Sequence, residues 1–165
     1  MTQLLPFRIG TGYDVHRFAA GRPLVLGGVR IEHARGLDGH SDADVLTHAL
    51  ADALLGALGL PDIGHYFPNN DPKIAGINSQ EILAKALSEA ECRGYTLANA
   101  DIALIAEEPK IGPHLPAMKA ALARTLKTEP SRLGIKATTH EKLGAFGRAE
   151  GMAAHAVVLL QRKDG

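Results

Sequence analysis

A two-layer α/β sandwich is the fold class this sequence predicts: a ferredoxin-like domain with a β-hairpin, its four-to-five-stranded sheet covered by helices on one face. Three observations predict it. The elements read β-β-β-α-α-β-α-β-β, with strands and helices alternating late in the chain. The first long helix carries an apolar stripe along one side. The 165 residues, 45% hydrophobic and 22% charged, suffice for one core, so a single domain over residues 1–165 is expected.

Each element has a local reason. Phe7 to Phe18 reads as a strand. Pro23 to Ile31 reads as a hairpin, with Gly27-Gly28 as its two-residue turn. His33 to Gly39 is a polar loop. A helix is expected from Asp42 to Leu58, with Ser41 or Asp42 as N-cap and Val45, Leu46, Ala49, Leu50, Ala53 and Leu54 on its buried face. Gly59 to Ile77, rich in Pro, Asn and Gly, is a long loop of the functional kind, and Asp62 to Ile77 is expected to act as a mobile lid. The second helix covers Ser79 to Arg93, with Asn78 and Glu81 at capping-box spacing and Gly94 as its stop. A strand lies within Tyr95 to Glu107. Pro113 opens a third helix to Lys127. Leu133 to Thr138 is a strand, Thr139 to Gly151 a Gly-rich loop, and Met152 to Leu160 the last strand.

The bulk composition excludes several classes of function. Lys and Arg balance Asp and Glu at 18 each, so no global field attracts nucleic acid or an anionic membrane. Aromatics are 4% and Trp is absent, against a base-stacking platform. No apolar run spans a bilayer, and Met1 to Pro6 has no secretory pattern. The lone Cys92 permits no internal disulfide; it is expected to be a core or half-buried side chain, and the setting a reducing cytoplasm. A near-zero net charge permits self-association.

Asp14 and His16, two apart on a strand, share a face and can offer a carboxylate and an imidazole to one ion. His40, Asp44, His48 and Asp52 recur at intervals of four, which on a helix makes one row. The plainer reading is a solvated face. The sharper one brings His48 to Asp14 and His16 as a three-ligand catalytic Zn²⁺ site with one position open, Asp44 and Asp52 orienting the imidazoles. Further on, Lys136-Ala137-Thr138-Thr139-His140-Glu141 follows a strand directly. Its hydroxyls and N–H groups suit phosphate oxygens, and Glu141 suits a hard cation between carboxylate and phosphate. A β-turn with a solvated Glu141 is the alternative. Ala106 to His114, stiffened by Pro109 and Pro113, is a strand-end loop of the ligand-binding kind. Gly147 to Gly151 holds Arg148 and Glu150, either a surface ion pair or an anion site.

Taken in order, Gly12-Tyr13-Asp14-Val15-His16, His40-Ser41-Asp42-Ala43-Asp44-Val45 with His48, Asp52 to Ala57, Asp62-Ile63-Gly64, Phe67-Pro68, Pro109-Lys110, Lys136 to Thr139 with Glu141 to Gly144, and Gly147-Arg148 with Glu150-Gly151 resemble the 2-C-methyl-D-erythritol 2,4-cyclodiphosphate synthase family. The likeness runs from Arg8 to Leu160. It implies a phosphorus–oxygen lyase of non-mevalonate isoprenoid biosynthesis, which closes 4-diphosphocytidyl-2-C-methyl-D-erythritol 2-phosphate to the cyclodiphosphate and releases CMP. It implies a homotrimer with active sites between subunits. Carried over by motif, Asp14, His16 and His48 bind Zn²⁺, and Glu141 holds Mg²⁺ or Mn²⁺. His40 and Thr139 steady the transition state, and Ser41 touches substrate. Asp62, Ile63, Gly64, Phe67, Pro68, Asn69, Asn70 and Asp71 line the sugar-alcohol side. Ala106, Glu107, Glu108, Pro109, Lys110, Ile111 and Gly112, with Thr138 and Thr139, form a cytidine pocket given by the adjacent chain. Val15, His140 and Ala145 join the substrate contacts. Arg148 and Glu150 fall near a central cavity that takes isoprenoid diphosphates. The chain departs from the family at Asn69, around Ala75 and Asn78, at His140, and at Ala145-Phe146.

Two rival readings use the same residues. A metal-dependent hydrolase would activate water at Asp14, His16 and His48 and give open-chain products. A trimeric binding module for isoprenoid diphosphates or metal would tolerate loss of His48 but not of Arg148.

Overall fold

The computed structural model describes residues 6–163. β1 (Phe7–Ala20) leads into a hairpin of β2 (Leu24–Leu26) and β3 (Val29–Ile31), then β4 (Arg35–Leu37), α1 (Val45–Ala57), the short α2 (Ile63–Tyr66), α3 (Ser79–Cys92), β5 (Tyr95–Ile105), α4 (Leu115–Thr125), β6 (Leu133–Thr138), the short α5 (Gly144–Gly147) and β7 (Gly151–Arg162). The main sheet has the order β4-β1-β7-β5-β6, and the hairpin forms a sheet of its own. β7 runs antiparallel to both β1 and β5, and β5 runs parallel to β6. The expected α/β sandwich is present.

The sheet buries one face. In β7, Ala154, Ala156, Val158 and Leu160 are buried. On that side α1 contributes all six expected residues, Val45, Leu46, Ala49, Leu50, Ala53 and Leu54, and α3 adds Ile82, Leu83, Ala86 and Leu87. α1 comes close because β1 has no side chains beneath it at two points. A Cβ at Gly10 would stand 2.0 Å from the Ala53 carbonyl oxygen, and one at Gly12 would stand 2.0 Å from that of Ala49.

The opposite face is uncovered and carries apolar side chains beside a Thr11–His155 hydrogen bond: Ile9 is 72% exposed, Tyr13 56% and Val15 48%.

Several boundaries differ from expectation. α1 begins at Val45 rather than Asp42, because Ala43 takes φ 58°, a left-handed conformation no helix continues through, and Asp44 caps the helix instead. β4 lies inside the expected polar loop, pairing Phe18 with Leu37 and Ala20 with Arg35. α2 and α5 occupy parts of two expected loops. Cys92 is exposed on the last turn of α3, not in the core, because its position faces away from the sheet.

Candidate metal centre and substrate pocket

β1 presents Asp14 and His16 on its helix-facing side, and α1 lowers His48 onto them. The Asp14 Oδ2 lies 2.9 Å from His16 Nε2 and 3.0 Å from His48 Nδ1, and the two imidazole nitrogens are 3.2 Å apart. All three side chains are at most half-exposed.

Hydrogen bonds on the far side of His16 settle what it offers. Its Nδ1 lies 2.6 Å from the Asp38 carbonyl, which can only accept, so Nδ1 carries a proton and Nε2 is the nitrogen turned toward Asp14 and free to bind a metal. A carboxylate oxygen and imidazole nitrogens crowded at about 3 Å need a shared positive charge. Without metal a proton serves. Burial pushes the Asp14 carboxyl up, but its contacts with His16 and His48 outweigh it and hold it down to about 2. Burial pushes His16 down, and its bond to Asp14 more than restores it, so its pKa is raised. A divalent ion fits the same donor set, one carboxylate and two imidazoles, better than a proton does.

The cavity beside this trio has a volume of about 380 Å³. His40, Ser41, Asp62, Ile63, Gly64, Phe67 and Asn69 line it together with the three ligands. His40 Nε2 donates to the Asp71 carbonyl at 3.1 Å, tying the pocket rim to the loop that carries Pro68, Asn70 and Asp71. Arg22 Nη2 donates to the Ser41 carbonyl at 2.6 Å.

Asp44 and Asp52 do not orient the imidazoles as expected. Asp44 is fully buried and accepts from Gly27 N, Gly28 N, Thr47 N and Thr47 Oγ1, so it clamps the hairpin turn to α1. Burial pushes its carboxyl up, against the pull of those four bonds. Asp52 accepts from Ile63 N at 2.8 Å and fixes the start of α2; burial raises it too. The row at intervals of four is broken because His40 and Asp44 precede the helix.

The remaining candidates form a second assembly. Ala106 N donates to Thr138 O at 2.9 Å, and Glu107 Oε1 accepts from His140 N and Lys142 N. Arg35 Nη2 donates to Glu108 Oε1 at 2.7 Å, steadying the segment that runs on through Pro109, Lys110, Ile111 and Gly112. Thr139 Oγ1 donates to Glu141 Oε1 at 3.2 Å, and both Glu141 and Lys142 hold positive φ, 51° and 60°. Strain of that sort concentrates at ligand sites. This assembly does not reach the first pocket within one chain. Val15 pairs with Ala153, Ala153 with Ile105, and Ile105 with Thr138. Thr138 therefore lies three strand spacings from Val15, about 14 Å at ~4.8 Å per strand. Val15 and Ala145 line a separate cavity of about 570 Å³ with Phe18, Phe146 and Glu150. Arg148 Nε donates to Glu150 Oε1 at 2.6 Å on the exposed surface.

Residues 7–161 match the YgbB family. The chain belongs to the YgbB family. A 2-C-methyl-D-erythritol 2,4-cyclodiphosphate synthase of Synechococcus elongatus is 58% identical over 156 residues, 94% of this chain and 98% of that protein. The bifunctional IspDF of Campylobacter jejuni superposes with a TM-score of 0.92 at 46% identity, over 96% of this chain and 43% of that longer one. The IspF of Plasmodium falciparum in its CDP complex superposes at 0.86 with 34% identity, over 98% of this chain and 100% of that one. The trio at the pocket mouth thus sits in a chain of YgbB architecture throughout.

One residue the sequence did not single out as functional is Ser79. Its hydroxyl lies 2.8 Å from His48 Nε2, on the side away from Asp14.

Proposed function

We propose that this YgbB-family chain converts 4-diphosphocytidyl-2-C-methyl-D-erythritol 2-phosphate to 2-C-methyl-D-erythritol 2,4-cyclodiphosphate and CMP. The observation that carries the reading is the meeting of Asp14, His16 and His48 within hydrogen-bond distance at the mouth of a pocket sized for a small polyol phosphate. An oxygen of the substrate's 2-phosphate attacks the β-phosphorus. The bond from that phosphorus to the bridging oxygen breaks, and CMP leaves with the electron pair. A phosphate nucleophile needs no strong base, so the pocket has only to position the two ends of the substrate and neutralise charge.

The trio is assigned Zn²⁺, and Glu141 a second ion, Mg²⁺ or Mn²⁺. Divalent cations held there supply Lewis-acid polarisation and neutralise phosphate charge. Asp62, Gly64, Phe67 and Asn69 bound the polyol, and the 106–112 segment with Thr138 and Thr139 holds the cytidine. His40 and Thr139 are fixed donors toward developing phosphoryl charge.

The whole chain is read as one catalytic domain, cytoplasmic and homotrimeric. No helix among the described residues is long and apolar enough to cross a membrane. Two observations support association. Ile9, Tyr13 and Val15 leave an apolar sheet face uncovered. The metal half and the nucleotide half are also separated within one chain, so a complete site takes one half from each of two copies. The cavity beside Ala145 and Arg148 is assigned to an isoprenoid diphosphate.

The test is ³¹P NMR of purified protein with the CDP-linked 2-phosphate in ¹⁸O-water. The expected products are the cyclic diphosphate and CMP, neither carrying ¹⁸O. Open-chain products with water-derived oxygen would make it a hydrolase.

A further inference from the structure

We infer that Ser79, backed by Asp42, is the positioning residue that fixes the tautomer of His48 and so readies its Nδ1 for a metal. The inference rests on the metal-site reading of Asp14, His16 and His48.

The reasoning follows donor and acceptor roles along a short chain of atoms. Asp42 takes the Ser79 amide at 3.0 Å on one oxygen, and on the other it takes the Ser79 hydroxyl in a short hydrogen bond. A carboxylate only accepts, so the single hydroxyl hydrogen of Ser79 is committed to Asp42. Toward His48 the same oxygen can then only accept. It lies 2.8 Å from Nε2, which must therefore carry the proton. Imidazole has one N–H when neutral, so Nδ1 is left with its lone pair, facing Asp14 Oδ2 at 3.0 Å and His16 Nε2 at 3.2 Å, where the proton on His16 occupies the place a metal would take.

Ser41 does not do this alone. Its Oγ is farther from Nε2, at 3.1 Å, and accepts from Ala43 N at 3.0 Å, so nothing fixes where its own hydrogen points. Ser79 is 0% exposed and opens α3, where Asn78 caps the helix by accepting from Gln80 N. The relay therefore runs from the loop before α1, through the start of α3, back to a metal ligand in α1. His16 has the corresponding anchor in the Asp38 carbonyl. The two imidazoles are thus presented with opposite nitrogens, Nε2 of one and Nδ1 of the other, by two unrelated acceptors.

The experiment compares wild type with Ser79→Ala and Asp42→Asn. Zn²⁺ affinity is measured against a competing chelator, and the His48 tautomer by long-range ¹⁵N–¹H correlation of the metal-free proteins. Wild type is expected to show Nε2–H only. Ser79→Ala is expected to lose roughly 10- to 100-fold in Zn²⁺ affinity and to show mixed tautomers. Should it fold poorly, Asp42→Asn reports the same two quantities, since it loosens the hold on the Ser79 hydrogen. A purely structural Ser79 would lower the melting temperature yet leave affinity and tautomer unchanged, and that result overturns the inference. So does Nδ1–H in wild type. A wild type that takes up no divalent ion overturns the metal site itself; normal uptake with unaltered variants overturns this inference alone.

Discussion

Gly12 lies against Ala49 with no room for a side chain, since a Cβ there would stand 2.0 Å from the Ala49 carbonyl oxygen. The contact sets the height of α1 over β1. His48 precedes Ala49 and Asp14 follows Gly12 by two, so the same contact sets the reach of imidazole to carboxylate. Gly12→Ala is expected to cost about 3 kcal/mol in urea unfolding, as overpacking against backbone cannot relax cheaply. Zn²⁺ affinity is expected to fall roughly tenfold with it, as a displaced ligand would imply. An unchanged unfolding midpoint would show that the helix rides on other contacts.

The metal-free protein should have a stability profile shaped by the ligands. Asp14 is held down to about 2 from 3.8, so its contribution is present above pH 3.8 and lost as pH falls through 2. His16 is raised above 6.5, so its contribution is full below pH 6.5 and lost as pH rises through the raised value. Their pairing is therefore at full strength between pH 3.8 and 6.5. Asp14→Asn is expected to remove about 2 kcal/mol in that window and less on either side. Urea melts of EDTA-treated protein from pH 3 to 9 check this, and parallel profiles for the two proteins would contradict it.

Asp44 should matter for stability rather than for metal binding. Four donors converge on its buried carboxylate, two of them the hairpin amides of Gly27 and Gly28. Asp44→Ala strands those amides and uncaps α1, at an expected cost of about 4 kcal/mol. Asp44→Asn should cost about half as much, because one amide N–H must face another donor. Calorimetry orders the three proteins. A loss under about 1 kcal/mol for Asp44→Ala would mean water replaces the carboxylate.

The sequence disclosed the site more fully than the elements around it. Asp14 and His16 share a strand face by the period of two, and His48 belongs to a helix whose apolar stripe fixes its rotation. What misled was the row from His40 to Asp52. Its regularity suggested one long helix, but Ala43 turns left-handed and Asp42 is engaged by Ser79, so the helix cannot begin there. β4 was invisible because Arg35-Gly36-Leu37 is too short to show alternation; only its pairing with Phe18 to Ala20 makes it a strand. Ser79 carried no signal, since its role comes from His48, 31 positions away along the chain. The separation of Thr138 from Val15 depends on strand order, which local pattern does not encode.

That separation leads to a test of how the halves combine. If one active site takes Asp14, His16 and His48 from one copy and Thr139 with Glu141 from its neighbour, His48→Ala and Glu141→Ala damage different halves. Each variant alone should be inactive. Unfolded together in equal amounts and refolded, they should form mixed rings in which about one site in four receives both intact halves, whatever the size of the ring. The expected recovery is about a quarter of wild-type CMP release. Sites built wholly within one chain would recover nothing, because no chain in the mixture carries both intact halves. The Glu141→Ala chain retains its metal trio, so Zn²⁺ uptake by the mixture should stand near half that of wild type. Zinc retained without any regained activity would separate a one-chain site from a failure to refold.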